Sequence, residues 1–177
     1  MKLKIKVFRL GNVSMPKVIK KGEWTDLQCA EYVQFKSPQS GTLKKHTVNG
    51  VTESHRDVEF DYKLFSLGVA MKLPKGFEAV VVPRSSTFKN FGIIQANSIG
   101  VIDNSYCGNR DIWKFPAIAL KDTEVCIGDR VCQFRIQLSQ NANIWHKLKW
   151  LLSSGIKFVE VDRLYDESRG GIGSTGK

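Results

Sequence analysis

An all-β sandwich or barrel is the fold class that the sequence predicts, and three observations predict it. Short runs rich in Val, Ile and Phe recur about every ten residues, the spacing of strands and turns in such folds. Glycine and proline stand at the joints between the runs. Residues 2–9 alternate charged and apolar, the period of a strand with one buried face.

In chain order, residues 2–9 place Leu3, Ile5 and Val7 on one face and read as an edge-type strand. Residues 63–73 and 78–82 read as strands around the turn Pro74-Lys75-Gly76. Residues 93–95, 101–102, 112–120 and 131–138 continue the series, and 158–161 close it. Two stretches break the rhythm. Residues 37–57 are polar and carry His46 and His55, which reads as a long hairpin excursion or a mobile loop rather than a metal site. Residues 142–154 repeat apolar side chains with helical period, and Gly155 is a natural stop. That basic helix packs on the body or touches a membrane surface. The body is expected to span 1–165. The tail, 166–177, is too rich in glycine and hydroxyls to build a core. It is a disordered end, or an arm that wraps a phosphate chain.

Composition narrows the function classes. The chain has 177 residues, enough for one domain with a core of its own. No apolar run approaches the roughly 18 residues of a membrane span, and the N-terminus lacks the apolar stretch of a secretory signal. A cytoplasmic protein is expected. Four cysteines with no CxxC pair read as free thiols, not as a zinc site. A net charge of +10 favours an anionic partner. Aromatic and basic residues do not interleave as in readers of single-stranded nucleic acid, so direct nucleic-acid binding is not expected.

Four segments hold candidate chemistry. In VVVPRSS a strand ends at Pro83 and delivers Arg84, Ser85 and Ser86: a guanidinium fork and two hydroxyls suited to phosphate, or a plain surface turn capped by a serine. In ANSIGVIDNSY, Asp103 ends an apolar strand, where partial desolvation raises basicity, or it simply starts a turn. Tyr106 offers a flat face to a sugar or base. In GDRVCQ, Gln133 sits inside the next strand after a turn. The tail holds RGGIGSTG.

Each segment alone is weak, but their succession resembles that of the trimeric dUTP nucleotidohydrolases, the dUTPases. The resemblance is close over residues 63–138, loose over 24–33, and returns in the tail. It implies a jelly-roll-like β-clip or barrel domain, a homotrimer with active sites between subunits, and a flexible arm that closes a site built by other subunits. It implies hydrolysis of dUTP to dUMP and pyrophosphate with Mg²⁺ on the triphosphate, which limits uracil incorporation into DNA and supplies dUMP for thymidylate synthesis. By the same resemblance Asp103 is the base that activates the water attacking the α-phosphorus. Tyr106 packs beneath the deoxyribose. Asn97 lies near uracil, which a hairpin from Gly100 through Ile102 to Tyr106 reads by backbone bonds. Arg84, Ser85, Ser86 and Gln133 hold phosphates, joined from the tail by Arg169, Ser174 and Thr175. Asp26 works near the water shell of the metal.

The sequence departs from the family pattern at Trp24-Thr25, at Ser105 and at Cys107. The tail is shorter and places Ile172 where an aromatic would cover uracil. Phe91, and after it Trp113, are candidates for a substitute lid. Two rival readings are a dCTP deaminase-like enzyme, which needs a glutamate base in place of Asp103, and a nucleotide-gated partner-binding relative of the dUTPases.

Overall fold

A computed structural model describes residues 1–18 and 23–170. Its strands form a β body in three main sheets. Strand β1 (Leu3–Arg9) buries Leu3, Ile5 and Val7 and turns Lys4 and Lys6 outward, as its alternation dictates. It is not an edge. The chain returns as β14 (Ile156–Glu160) and pairs with it in parallel, while β7 (Val69–Lys72) pairs on the other side. Alternation reports the buried face and is silent on whether both edges find partners.

The run over residues 63–73 is two strands rather than one. It breaks into β6 (Tyr62–Ser66) and β7 at Gly68, whose φ is +66°. β6 joins β11 (Lys114–Ala119) and β9 (Ile93–Gln95) in a second sheet. The third sheet positions the site. Its order is β10 (Gly100–Asp103), β8 (Phe77–Pro83), β13 (Arg130–Leu138) and β2 (Thr25–Gln28). Short strands β3 (Val33–Phe35) and β12 (Thr123–Val125) pair with each other. The inward faces meet in one core that includes Ile5, Leu67, Met71, Phe77, Trp113 and Phe134. Burying each such side chain contributes about 1.5–3 kcal/mol.

The polar stretch is an ordered hairpin, β4 (Gln39–Val48) and β5 (Val51–Glu59), running slightly beyond the predicted 37–57 excursion and closed by Asn49-Gly50, both at positive φ. The predicted helix is α2 (Ile144–Leu151), capped at its start by Asn143. It docks through Trp150, whose ring lies 5.6 Å from that of Phe77. Ile144, Trp145, Leu151 and Leu152 remain exposed. No helix among the described residues is long and apolar enough to cross a membrane.

Candidate active site

The phosphate turn follows from the end of β8. Pro83 is the last residue of that strand, and the chain then folds into the short helix α1 (Thr87–Phe91). Thr87 holds the turn closed. Its buried hydroxyl donates to the Val131 carbonyl at 2.7 Å and accepts the Arg84 amide at 3.0 Å. Sequence reasoning missed this residue, because a threonine beside two serines looks like one more surface hydroxyl. Ser86 stands at the N-cap but makes no side-chain cap bond.

Arg84 turns back onto the sheet. Its Nε donates to Asp26 Oδ1 at 2.9 Å, and Arg130 donates to Asp26 Oδ2 at 3.2 Å. Gln133 lies opposite both Asp26 and Val82 in the strand register, and paired positions share a face. Arg84, Asp26, Gln133 and Arg130 therefore gather at one end of the sheet. In the sequence Arg130 is only the third residue of a turn; cross-strand pairing brings it to Asp26.

Asp103 sits elsewhere. In the β10–β8 register it lies opposite Glu78, while Gly100 lies opposite Val81. Arg84 is six residues beyond Glu78. At about 3.3 Å per residue the two functional ends are roughly 20 Å apart along the strand. One chain does not bring its own Asp103 to its own phosphate turn.

Around Asp103 the chain differs from expectation in two ways. First, residues 100–106 are not a two-stranded hairpin. β10 pairs with β8 and then enters a turn in which the Tyr106 amide donates to the Asp103 carbonyl at 3.3 Å. β10 is thus an edge strand, with one side of its backbone free of a strand partner among the described residues. Second, the basicity of Asp103 is lowered, not raised. Burial pushes its pKa up, but the Ser105 hydroxyl and amide and the Arg169 guanidinium outweigh it and hold the carboxyl below the usual range. The Ser105 amide donates to Oδ1 at 2.8 Å, and the Ser105 hydroxyl donates to the same oxygen. Arg169 also pairs with the Asp103 carboxylate.

Tyr106 is half-buried against the core, and its hydroxyl donates to the Ile112 carbonyl at 3.2 Å. Burial raises its pKa, so the phenol stays neutral. Asn97 is exposed and accepts from Gln95 Nε2 at 2.8 Å. Gly100 brings its backbone close to Val81, where a Cβ would lie 3.3 Å from the Val81 Cβ. Of the two lid candidates, Trp113 is closed off from the site. Trp113 is fully buried, edge-on to Phe134, because the core needs its volume. Phe91 ends α1 half-buried against the same core. Ile172, Ser174 and Thr175 lie outside the described residues.

Comparisons with known proteins point the same way as the motifs. The dUTPase family model matches residues 53–149. The chain is 44% identical over 176 residues to the SPbeta prophage-derived deoxyuridine 5'-triphosphate nucleotidohydrolase YosS of Bacillus subtilis, covering 99% of each chain. It is 31% identical over 138 residues to the deoxyuridine 5'-triphosphate nucleotidohydrolase of Finegoldia magna, covering 76% of this chain and 82% of that one. Among solved structures, the dUTPase from Streptococcus mutans superposes with a TM-score of 0.59 at 18% identity, over 78% of this chain and 98% of that one. A point mutant of the dUTPase from phage phi11 of S. aureus, described as coordinating a structural Mg(II) ion, superposes with a TM-score of 0.57 at 15% identity, over 79% and 94%. The fold is therefore the jelly-roll-like fold of those structures, and the chain belongs to the dUTPase family.

Proposed function

We propose that this chain hydrolyses dUTP to dUMP and pyrophosphate as a homotrimer whose active sites lie between subunits. The observation that carries the shared site is the strand register: Asp103 and Arg84 stand at opposite ends of β8. A site with both must take them from different chains.

The open side of edge strand β10 supports backbone reading of uracil from Gly100 to Ile102, with Asn97 beside it. Backbone donors and acceptors fixed in a strand reject cytosine, whose donors would face donors, and a methyl at thymine's position meets the chain. Tyr106 packs beneath the deoxyribose, and its ring leaves no room for a 2′-hydroxyl. Asp103 orients a water and takes its proton as the water attacks the α-phosphorus. The bond to the bridging oxygen breaks, and pyrophosphate leaves with the electron pair. Arg84, Ser85, Ser86 and Gln133 hold the phosphates, with Arg169, Ser174 and Thr175 from the tail.

The donor set fits a magnesium ion that arrives on the substrate. Among the described residues no group of three acidic, histidine or cysteine side chains could hold an ion. Asp26, the carboxylate at the phosphate turn, has both oxygens engaged by guanidinium groups, which fits a contact to the water shell of the ion rather than direct ligation. When bound, the ion neutralises charge on the triphosphate. The enzyme works in the cytoplasm, where four free thiols are stable. Measuring pyrophosphate release from a panel of nucleotides tests the reading. Activity on dUTP and not on dTTP, dCTP or UTP is expected, and equal rates on all four would overturn it.

A further inference from the structure

Gln95 ends β9 in the second sheet, yet its side chain crosses to the third. The residue is only 8% exposed. Its Nε2 donates to the Val81 carbonyl on β8 at 3.3 Å and to Asn97 Oδ1 at 2.8 Å. The same nitrogen lies beneath the start of β10, where a Cβ on Gly100 would stand 3.4 Å from it. Gln95 Oε1 has no hydrogen-bond partner among the described residues. A buried amide oxygen left unpaired is costly, and a leucine would fill the same space without that cost. Nor does the turn that follows need the side chain. The Ala96 amide donates to the Pro116 carbonyl at 3.0 Å, the Ser98 amide to the Gln95 carbonyl at 3.3 Å and the Ile99 amide to the Asn97 carbonyl at 2.6 Å. What the buried amide adds is the direction in which Asn97 faces.

The polarity of these bonds runs one way. A main-chain carbonyl only accepts, so the Gln95 atom at Val81 is the NH2 group. That group carries two hydrogens, and the second goes to Asn97, whose inner atom is therefore its oxygen. The Asn97 NH2 group is left turned away from Gln95 on an exposed side chain. We propose that Gln95 is a positioning residue for base selection: anchored on the Val81 carbonyl, it fixes the Asn97 amide so that its NH2 group faces the base. An outward donor suits the C4 oxygen of uracil. The C4 amine of cytosine would meet it donor to donor. Without Gln95 the Asn97 amide can turn over and offer its oxygen to that amine. This selection adds to the backbone reading by β10. The inference rests on the reading of the chain as a dUTP hydrolase with Asn97 beside uracil.

The test uses the full-length enzyme and compares kcat/KM for dUTP with kcat/KM for dCTP. Gln95→Leu should lower that ratio by about 10–10²-fold, with the loss in KM for dUTP rather than in kcat. A merely structural role would slow both nucleotides together and leave the ratio in place. Asn97→Asp is a second variant, on an exposed side chain. One oxygen still accepts from Gln95, but the other replaces the outward NH2 group, and the ratio should fall at least as far. In an Asn97→Ala background Gln95→Leu should change the ratio no further, because it acts through the asparagine. Hydrogen exchange in the ligand-free wild type reads the relay without any variant. The side-chain amide protons of Gln95 should exchange slowly, and those of Asn97 at the rate of an exposed asparagine. An unmoved ratio in Gln95→Leu or Asn97→Asp overturns the proposal, as do losses that multiply in the double mutant or fast exchange at Gln95. Should Gln95→Leu fail to fold, Asn97→Asp and the exchange pattern decide alone. A wild type inactive on dUTP removes the functional reading and this inference together. One that hydrolyses dUTP while the variants keep its ratio removes this inference alone.

Discussion

The guanidinium of Arg169 lies on the carboxylate of Asp103 in the same chain, while Ser105 occupies the other oxygen. Both partners favour the charged form of Asp103, and its pKa falls in the folded protein despite burial. A carboxyl with a depressed folded pKa stabilises the fold above its unfolded pKa, and that contribution is lost as pH falls through the folded value. The same sign governs catalysis. The acid limb of kcat/KM should lie below the ordinary aspartate range. Ser105→Ala removes a donor to the charged form, so the limb should move to higher pH. A limb that stays in place, or moves to lower pH, contradicts the assignment of Asp103 as the titrating base.

Asp103→Asn tests the base while keeping the Ser105 turn, at the loss of the Arg169 contact. An asparagine oxygen still accepts from the Ser105 amide, so the turn persists, but the proton acceptor is gone. The expected loss in kcat is about 10²–10⁴-fold with little change in KM for dUTP, the range for removal of a general base. Pyrophosphate release at saturating dUTP reads it directly.

The roughly 20 Å between Asp103 and the phosphate turn along β8 has a consequence in mixed oligomers. Asp103→Asn and Arg84→Ala should each be inactive as pure species. Co-refolded, they should recover partial activity, because a site at a mixed interface can draw an intact Asp103 from one chain and an intact Arg84 from the other. Sites complete within one chain would give no recovery above the sum of the separate variants.

The strand at 93–95 and the turn at Pro74-Lys75-Gly76 are legible in the sequence because local pattern decides them. The two-sided pairing of β1 is not, because its parallel partner lies some 150 residues away and leaves no local trace. At the site, Arg84 and Asp103 stand out by motif. The Asp26–Arg130 pair does not, since it depends on strands brought together by the sheet. The proton affinity of Asp103 escapes a sequence reading for the same reason. Desolvation can be read from the apolar strand before it, whereas the donors at Ser105 and Arg169 depend on the turn and on a residue 66 positions away.

Phe91 stands just beyond the phosphate turn as the first lid candidate, half-buried, with one side of its ring packed against the core. Phe91→Ala should cost about 1–3 kcal/mol of stability, less than a fully buried phenylalanine, and, with Phe91 as the lid over uracil, raise KM for dUTP. Denaturant unfolding and steady-state kinetics on one preparation measure both. An unchanged KM and turnover would remove Phe91 as the lid.

Gly50 and Gly68 share a left-handed backbone, at φ +79° and +66°, yet substitution should affect them very differently. Gly50 closes the β4–β5 hairpin, which pairs with no other strand among the described residues, and an added Cβ there meets nothing within 4 Å. Gly50→Ala carries only the backbone penalty, about 1–2 kcal/mol, and a frayed hairpin tip absorbs it locally. Gly68 divides β6 from β7 inside the body, where a Cβ would lie 2.8–2.9 Å from Val13, Ala30 and the Leu10 carbonyl. The backbone penalty there adds to overpacking, and Gly68→Ala should lose about 2–5 kcal/mol. Because the Leu10 amide donates to the Gly68 carbonyl at 2.8 Å, relief would require moving the end of β1 as well. Thermal unfolding should show a Tm near wild type for Gly50→Ala and a clear drop for Gly68→Ala, with dUTP hydrolysis retained in the former. Equal drops in Tm would mean that the hairpin is fastened to the body by contacts beyond its own pairing.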